Sequence, residues 1–236
     1  GGRTVPMEYG VVPGSFLLVN DGQGNFKDVT ETAAPGLNKI GFVTHATWTD
    51  IDKDGDIDLL VSREWGELLL LLNEGGTFTQ QALSEHQGWW NFMLPVDIDN
   101  DGDLDIIAGN LGLNSRLHAS TSEPVTMYYH DFDDNGKKEQ LLTYFVRNKE
   151  LPYANLAELS KQMPFIKKKF LYAGDFASAS LEDIFDSKSL KAATRYTADY
   201  FSNAILINQG NGRFSLRALP WGAQLTPYRD AVVADA

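Results

Sequence analysis

"TDIDKDGDIDLLV", Thr49 to Val61, sets five aspartates at every second position around a single glycine and then turns apolar. Carboxylates crowded this closely repel one another unless a cation sits among them. Numbered from Asp50, side-chain oxygens fall at positions 1, 3, 5 and 9, on Asp50, Asp52, Asp54 and Asp58. Position 6 is Gly55, where the chain must turn sharply around an ion, and position 7 offers the backbone carbonyl of Asp56. An all-oxygen set of this kind, without His or Cys, suits Ca²⁺. Mg²⁺ takes fewer protein ligands and keeps more water.

The stretch recurs. "DIDNDGDLD" begins at Asp97, 47 residues after Asp50, and supplies Asp97, Asp99, Asp101 and Asp105, with the Asp103 carbonyl at position 7 and Gly102 at position 6. A third copy, "DFDDNGKKE", supplies Asp131, Asp133, Asn135 and Glu139, with the Lys137 carbonyl and Gly136 in the matching places. One carboxylate there becomes an amide and the last side chain is longer. Two calcium sites and a third, altered one are therefore expected. "YRDAVVADA" reads as the approach to a fourth loop opening at Asp235.

An EF-hand also uses positions 1, 3 and 5 with Gly at 6, but needs an acid at position 12 and flanking helices. Position 12 is Val61, Ala108 and Leu142, all apolar, and dockerin-type loops fail on the same ground. The ninth-position acid replaces the twelfth, so each loop is short and joins two strands.

A second motif interleaves with the first. "LLVNDGQGNFKDVT" (Leu17–Thr30), "LLLNEGGTFTQ" (Leu70–Gln80) and "ILINQGNGRFSL" (Ile205–Leu216) each run from an apolar stretch through Asn and a Gly-rich turn to Phe. Around the second, "VTHATWTD", "DLLVS", "ELLLLLN" and "TFTQQAL" read as four short strands, the content of one propeller blade. The expectation is an all-β fold, a β-propeller of four-stranded blades filling residues 1–236. The register of the third loop is open: it starts a new blade or decorates a long hairpin of the previous one. At about 148–200 the pattern breaks into a helical insertion, with Asn155 and Glu158 placed as a capping box and Ser180 and Ser187 as further caps. Its basic run, Lys167–Lys169, reads as a solvated face.

The hydrophobic content of 43 % excludes a disordered chain, and the longest apolar run, Leu68–Leu72, is far too short to span a bilayer. No basic-then-apolar leader opens the sequence, and the absence of Cys excludes disulfides and thiolate chemistry. A net charge of −12 argues against nucleic acid. Of the 32 acids, 14 lie in the three loops, so much of the acidity serves sites and not a general acidic surface.

With D-x-D-x-D-G-x-x-D loops between strands and L-x-N-x-G-x-G-x-F motifs after them, the chain resembles the FG-GAP/VCBS repeat family, the blade units of integrin α-subunit propellers and of many bacterial secreted proteins. "IIAGNLGLN" (Ile106–Asn114) is similar to the family's Gly-rich strand and turn. "PYANLAELSKQMPFIKKKF" and "FASASLEDIF" are similar to bacterial envelope proteins in which such repeats accompany an ASPIC/UnbV domain. The resemblance implies a propeller with structural calcium, recognition of a protein or glycan ligand, and an extracellular, periplasmic or cell-surface location. On that comparison the sequence starts mid-blade and stops at the first ligand of another loop, as a fragment of a longer protein does.

Nothing assembles into a catalytic set. His45, His86, His118 and His130 lack H-E-x-x-H spacing, and Ser15 lacks a G-x-S-x-G elbow. The enzyme alternative is a carbohydrate-active propeller of the polysaccharide-lyase type. It would stack sugar on Trp89 or Trp90 of "HQGWWNF" and use Arg63 or Arg116 as the basic group. Blade packing is the plainer reading of the two tryptophans, which point to opposite faces of a strand, so at most one of them is expected in a core.

Overall fold

The computed structural model describes residues 1–234 and is mostly antiparallel β-structure with a few short helices. The chain divides into two compact units, one built from residues 1–116 and 200 onward, the other from residues 117–199.

The first unit opens with a hairpin of β1 (Leu18–Asn20) and β2 (Phe26–Asp28), followed by the short helix α1 (Thr30–Ala33). Then come β3 (Phe42–Thr49), β4 (Asp58–Gly66), β5 (Leu69–Glu74) and β6 (Thr77–Ala82), which pair in that order as a meander. The first acidic loop joins β3 to β4, and the Gly-rich turn joins β5 to β6. Strand β7 (Gly88–Trp89) pairs with the end of β4, and β8 (Phe92–Val96) leads through the second acidic loop into β9 (Asp105–Gly109).

The second unit holds β10 (Val125–His130), β11 (Glu139–Val146) and β12 (Lys149–Pro152), and the third acidic loop joins β10 to β11. Five short helices follow: α2 (Leu156–Gln162), α3 (Phe165–Lys169), α4 (Ala173–Ser178), α5 (Leu181–Ile184) and α6 (Ser187–Ala192). Strand β13 (Thr194–Ala198) closes the unit beside β10, giving the order β12-β11-β10-β13. The third loop thus has a four-stranded sheet of its own. Asn155 with Glu158 and Ser180 with Asp183 form capping boxes. Ser187 is not a cap: the Asp186 carboxylate takes that place, accepting from the Lys188 and Ser189 amides. Lys167, Lys168 and Lys169 are exposed.

The chain then returns to the first unit as β14 (Ala204–Asn208) and β15 (Phe214–Ala218). Strand β14 pairs with β9, completing the order β15-β14-β9-β8. The third Gly-rich hairpin therefore belongs with the second acidic loop, and in sequence residues 117–199 are inserted between the β8–β9 and β14–β15 segments of one sheet. Among the described residues none of the sheets closes on itself. Tyr228–Ala234 forms no strand, and the fourth loop expected from Asp235 lies outside the described residues.

Strand β4 is buried on both faces, which is why it reads as an apolar run and not an alternation. On one face Leu60 and Leu70 share a core with Trp90, Met93, Ile106 and Leu206, which joins the β3–β6 sheet to the β15-β14-β9-β8 sheet. On the other, Leu59, Val61, Leu69 and Leu71 pack with Ala34, Leu37 and Ile40. A slip of one residue would exchange the faces, so these side chains, at about 1.5–3 kcal/mol each for full burial, fix where the acidic loops lie. In the second unit Tyr128 and Leu141 carry the core formed by Leu159, Met163, Ile166, Ile184 and Phe185 of the helices.

Candidate metal centres

All three loops are built alike. The position-1 carboxylate reaches across the turn: Oδ2 of Asp50, Asp97 and Asp131 accepts from the amides of Gly55, Gly102 and Gly136, at 3.2, 3.1 and 2.8 Å. These glycines have φ of 97°, 96° and 85°, in the left-handed region where a Cβ is disfavoured. Position 4 is left-handed as well, at Lys53, Asn100 and Asp134, with φ of 62°, 60° and 56°. Asn and Asp tolerate this region, which is the sequence signal for the second turn; Lys53 gives no such signal.

The ninth-position acid is a bracket. Asp58 is fully buried, its Oδ2 accepting from the Ile51 amide at 3.0 Å and its Oδ1 from the Asn73 amide at 2.8 Å. Asp105 repeats this with the Ile98 and Asn208 amides, at 3.1 and 2.8 Å. The Asn side chain completes the tie: Asn73 Nδ2 donates to the Ile57 carbonyl and Asn208 Nδ2 to the Leu104 carbonyl, each at 3.1 Å. In the sequence this Asn stands only as the residue between an apolar stretch and a Gly-rich turn, whereas in the structure it locks each of these two hairpins to an acidic loop. In the third loop Glu139 keeps half of the bracket, accepting from the Phe132 amide at 2.8 Å.

Carboxylate oxygens converge in each loop. Asp50, Asp52 and Asp58 bring ligand atoms within 4.8 Å of one another, as do Asp97, Asp99 and Asp101, and Asp131, Asp133 and Glu139. Asp54 and Asp105 stand outside these sets. Asp54 Oδ1 accepts from the Asp56 amide, Asn135 Oδ1 from the Lys137 amide, and Asp103 Oδ1 from Lys53 Nζ. No histidine belongs to any of the three sets.

The donor sets fit a hard cation on two observations. Asp50 Oδ1, Asp97 Oδ1 and Asp133 Oδ1 are buried acceptors that no hydrogen bond satisfies, one in each loop. Unpaired acceptors of this kind are costly, and a coordinated ion satisfies them. The loops also carry uncompensated repulsion. Burial, with the charges of Asp52 and Asp54, holds the Asp58 carboxyl above its ordinary range. Desolvation and the charges of Asp101, Asp105 and Asp97 raise Asp99, and burial with Asp133 and Asp131 raises Glu139.

Three residues of the lyase-type alternative, Trp89, Trp90 and Arg63, are engaged in packing or pairing. Trp90 is fully buried, and Trp89 is half-buried between Trp65 and Phe201, with ring centroids 5.0 Å from each. Neither ring is an open platform. Arg63 is held by Glu67, which its guanidinium meets at 2.6 Å, and by the Ile40 carbonyl. Of the histidines, His86 stacks on Tyr200 and His130 lies edge-on to Phe132.

No curated protein and no solved structure matches the chain. The family model described as an FG-GAP-like repeat matches residues 50–108, a span that takes in both acidic loops of the first unit and the hairpin between them. Over that span the chain is similar to an FG-GAP-like repeat.

Proposed function

We propose that this chain is a calcium-stabilised β-propeller segment that acts as a binding or scaffold module for a protein or glycan ligand outside the cytoplasm. The observation that carries the reading is the buried, unsatisfied carboxylate oxygen present in each of the three loops. Ca²⁺ is the ion, held by Asp50, Asp52 and Asp58, by Asp97, Asp99 and Asp101, and by Asp131, Asp133 and Glu139. The remaining oxygens come from Asp54, Asp105 and Asn135 and from the carbonyls of Asp56, Asp103 and Lys137. Calcium here is structural: it removes the repulsion in the loops and locks sheet to hairpin, so binding free energy becomes folding free energy.

The sheets built around the three acidic loops are the blades of this reading, and the helices at about 148–200 are an insertion within it. The location follows from the ion. Loops of modest affinity, with Kd of roughly 10⁻⁴ to 10⁻³ M, fill only where calcium is abundant, as it is outside cells. Among the described residues no helix is long and apolar enough to cross a membrane, and the net charge of −12 supports a partner other than nucleic acid.

The test is thermal unfolding of chelator-dialysed protein with and without added Ca²⁺, paired with a calorimetric titration. We expect two to three bound ions and a melting temperature that calcium raises and Mg²⁺ raises less. An identical melting curve with and without calcium would overturn the reading.

A further inference from the structure

A groove of about 560 Å³ opens in the second unit, between α2 and the turn that leads from α3 into α4. Its walls are mainly apolar, with Leu156 contributed by α2 and Phe170 and Leu171 by the turn. Leu156 and Phe170 back onto the core of the unit, which fixes the walls in place. Leu171 has no such cover and is 80 % exposed. Covering it with an apolar group would be favourable.

The charged part of the lining has one sign. Lys161 and Lys167 belong to it and no acid does. Neither ammonium has an ion-pair or hydrogen-bond partner among the described residues. Residues 159–174 hold four lysines and no acid, in a chain whose net charge is −12. Ser160 also lines the groove, and its buried hydroxyl has no hydrogen-bond partner. Lysine stems lie along apolar surface and leave the ammonium at the water's edge. The groove therefore offers apolar walls with two free cations at its rim.

We propose that this groove binds a single anionic amphiphile, a carboxylate carrying an unbranched aliphatic tail. The tail covers Leu156, Phe170 and Leu171, and the carboxylate accepts charge-assisted hydrogen bonds from Lys161 and Lys167. Size favours a small ligand over a macromolecule. The volume of about 560 Å³ lies within the ~300–1,000 Å³ range of small-molecule sites. The whole lining comes from residues 155–173, whereas a stable protein partner needs roughly 20–30 residues a side. The walls at Leu156 and Phe170 are recessed, which suits one tail better than the face of a bilayer. The inference goes beyond the calcium reading and shares no residue with the acidic loops.

The experiment titrates the intact protein with dodecanoate, below its micelle-forming concentration, and follows amide shifts by NMR. We expect saturable one-to-one binding with the largest shifts at Lys161, Phe170 and Leu171. Acetate, which lacks the tail, and dodecyltrimethylammonium, which inverts the charge, should each bind at least about tenfold more weakly. Lys161→Gln combined with Lys167→Gln should weaken dodecanoate by about five- to tenfold, and Leu171→Ser by a similar factor. All three side chains are exposed, so these variants should keep the wild-type melting temperature. A parallel arm offers phosphatidylglycerol vesicles to the same proteins. No saturable shift at the groove, equal binding of the cationic amphiphile, or undiminished binding by the double lysine variant overturns the proposal. So does a protein that ignores dodecanoate but binds the vesicles through the same lysines, which would make this face a membrane-docking surface.

Discussion

Lys53 Nζ, on the first acidic loop, donates to Asp103 Oδ1 on the second at 3.0 Å and also to the Gly102 carbonyl. Two loops 47 residues apart in sequence, at Asp50 and Asp97, are thereby tied side by side. Lys53 holds a left-handed backbone, φ 62°, that a long side chain seldom adopts, and its ammonium stands beside the acids of the second site. Both partners are about half exposed, so the pair contributes little to stability, of order 0–1 kcal/mol. Its larger effect is electrostatic: a cation beside the second loop opposes a second cation entering it.

Lys53→Asn should therefore leave the melting temperature of the calcium-free protein nearly unchanged, because relief of the backbone strain offsets the lost ion pair. Calcium affinity of the second loop should rise by about two- to fivefold, the scale of one partly screened charge near a site. Calcium titration read at the Gly102 amide by NMR separates this loop from the first. An affinity unchanged or lowered at Gly102 would show that the ammonium does not oppose the ion.

Position 9 and position 5 look equivalent in the sequence and should behave differently. Asp58→Ala leaves the buried amide of Ile51 and the partly buried amide of Asn73 without an acceptor, at about 1–3 kcal/mol each. Asp54→Ala removes one turn bond to the Asp56 amide on an exposed loop and should cost less than about 1 kcal/mol. Urea denaturation in chelator resolves the two, with Asp58→Ala losing several-fold more stability. Equal losses would mean that the bracket is not a structural tie.

What the sequence could and could not reveal follows from how local each determinant is. The acidic loops, the strands around them and the caps at Asn155 and Ser180 depend on residues within a few positions of one another, so spacing exposes them. The pairing of β14 with β9 does not. All three Gly-rich hairpins carry the same local signal, and nothing within Ile205–Leu216 says which loop it serves across the intervening unit. The bracket was hidden for a related reason. Asp58 and Asp52 are the same residue at the same spacing, and only burial under β5 turns one of them into an acceptor for Asn73. Strand alternation predicts opposite faces for Trp89 and Trp90 and so leaves one ring as an exposed platform, but Trp65 and Phe201 cover the second face too.

Calcium stabilisation should depend on pH with a definite sign. In the metal-free protein the carboxyls of Asp58, Asp99 and Glu139 titrate above their ordinary range, so the folded state takes up protons more readily than the unfolded chain. For these groups, stability of the metal-free protein rises as pH falls through the raised range. Calcium needs the same groups ionised, so its stabilising effect is full above that range and shrinks as pH falls through it. The difference in melting temperature between calcium-loaded and calcium-free protein should be large near pH 7 and small near pH 4, the ordinary carboxylate range. A difference that stays constant over that interval would place the ion on groups other than these.

The last expectation concerns how the return of the chain is secured. Asn203, just before β14, is fully buried and makes bonds in three directions. Its Oδ1 accepts from the Asn110 amide at 2.7 Å, and its Nδ2 donates to the carbonyls of Ala223 and Thr226 at 2.7 and 3.0 Å. Asn110 and Gln224, both buried, extend the network, with Gln224 Oε1 accepting from the Asn203 amide at 2.8 Å. A buried network of this kind is favourable only while each member is paired. Asn203→Ala would strand one amide and two carbonyls, at a cost of about 2–4 kcal/mol. Asn203→Asp would keep the acceptor for Asn110 but turn a negative charge on the two carbonyls, and should be at least as damaging. Both losses should persist in saturating calcium, because the network lies apart from the loops. Rescue of Asn203→Ala by calcium, read as recovery of the wild-type unfolding midpoint, would show instead that the loops alone hold β14 against β9.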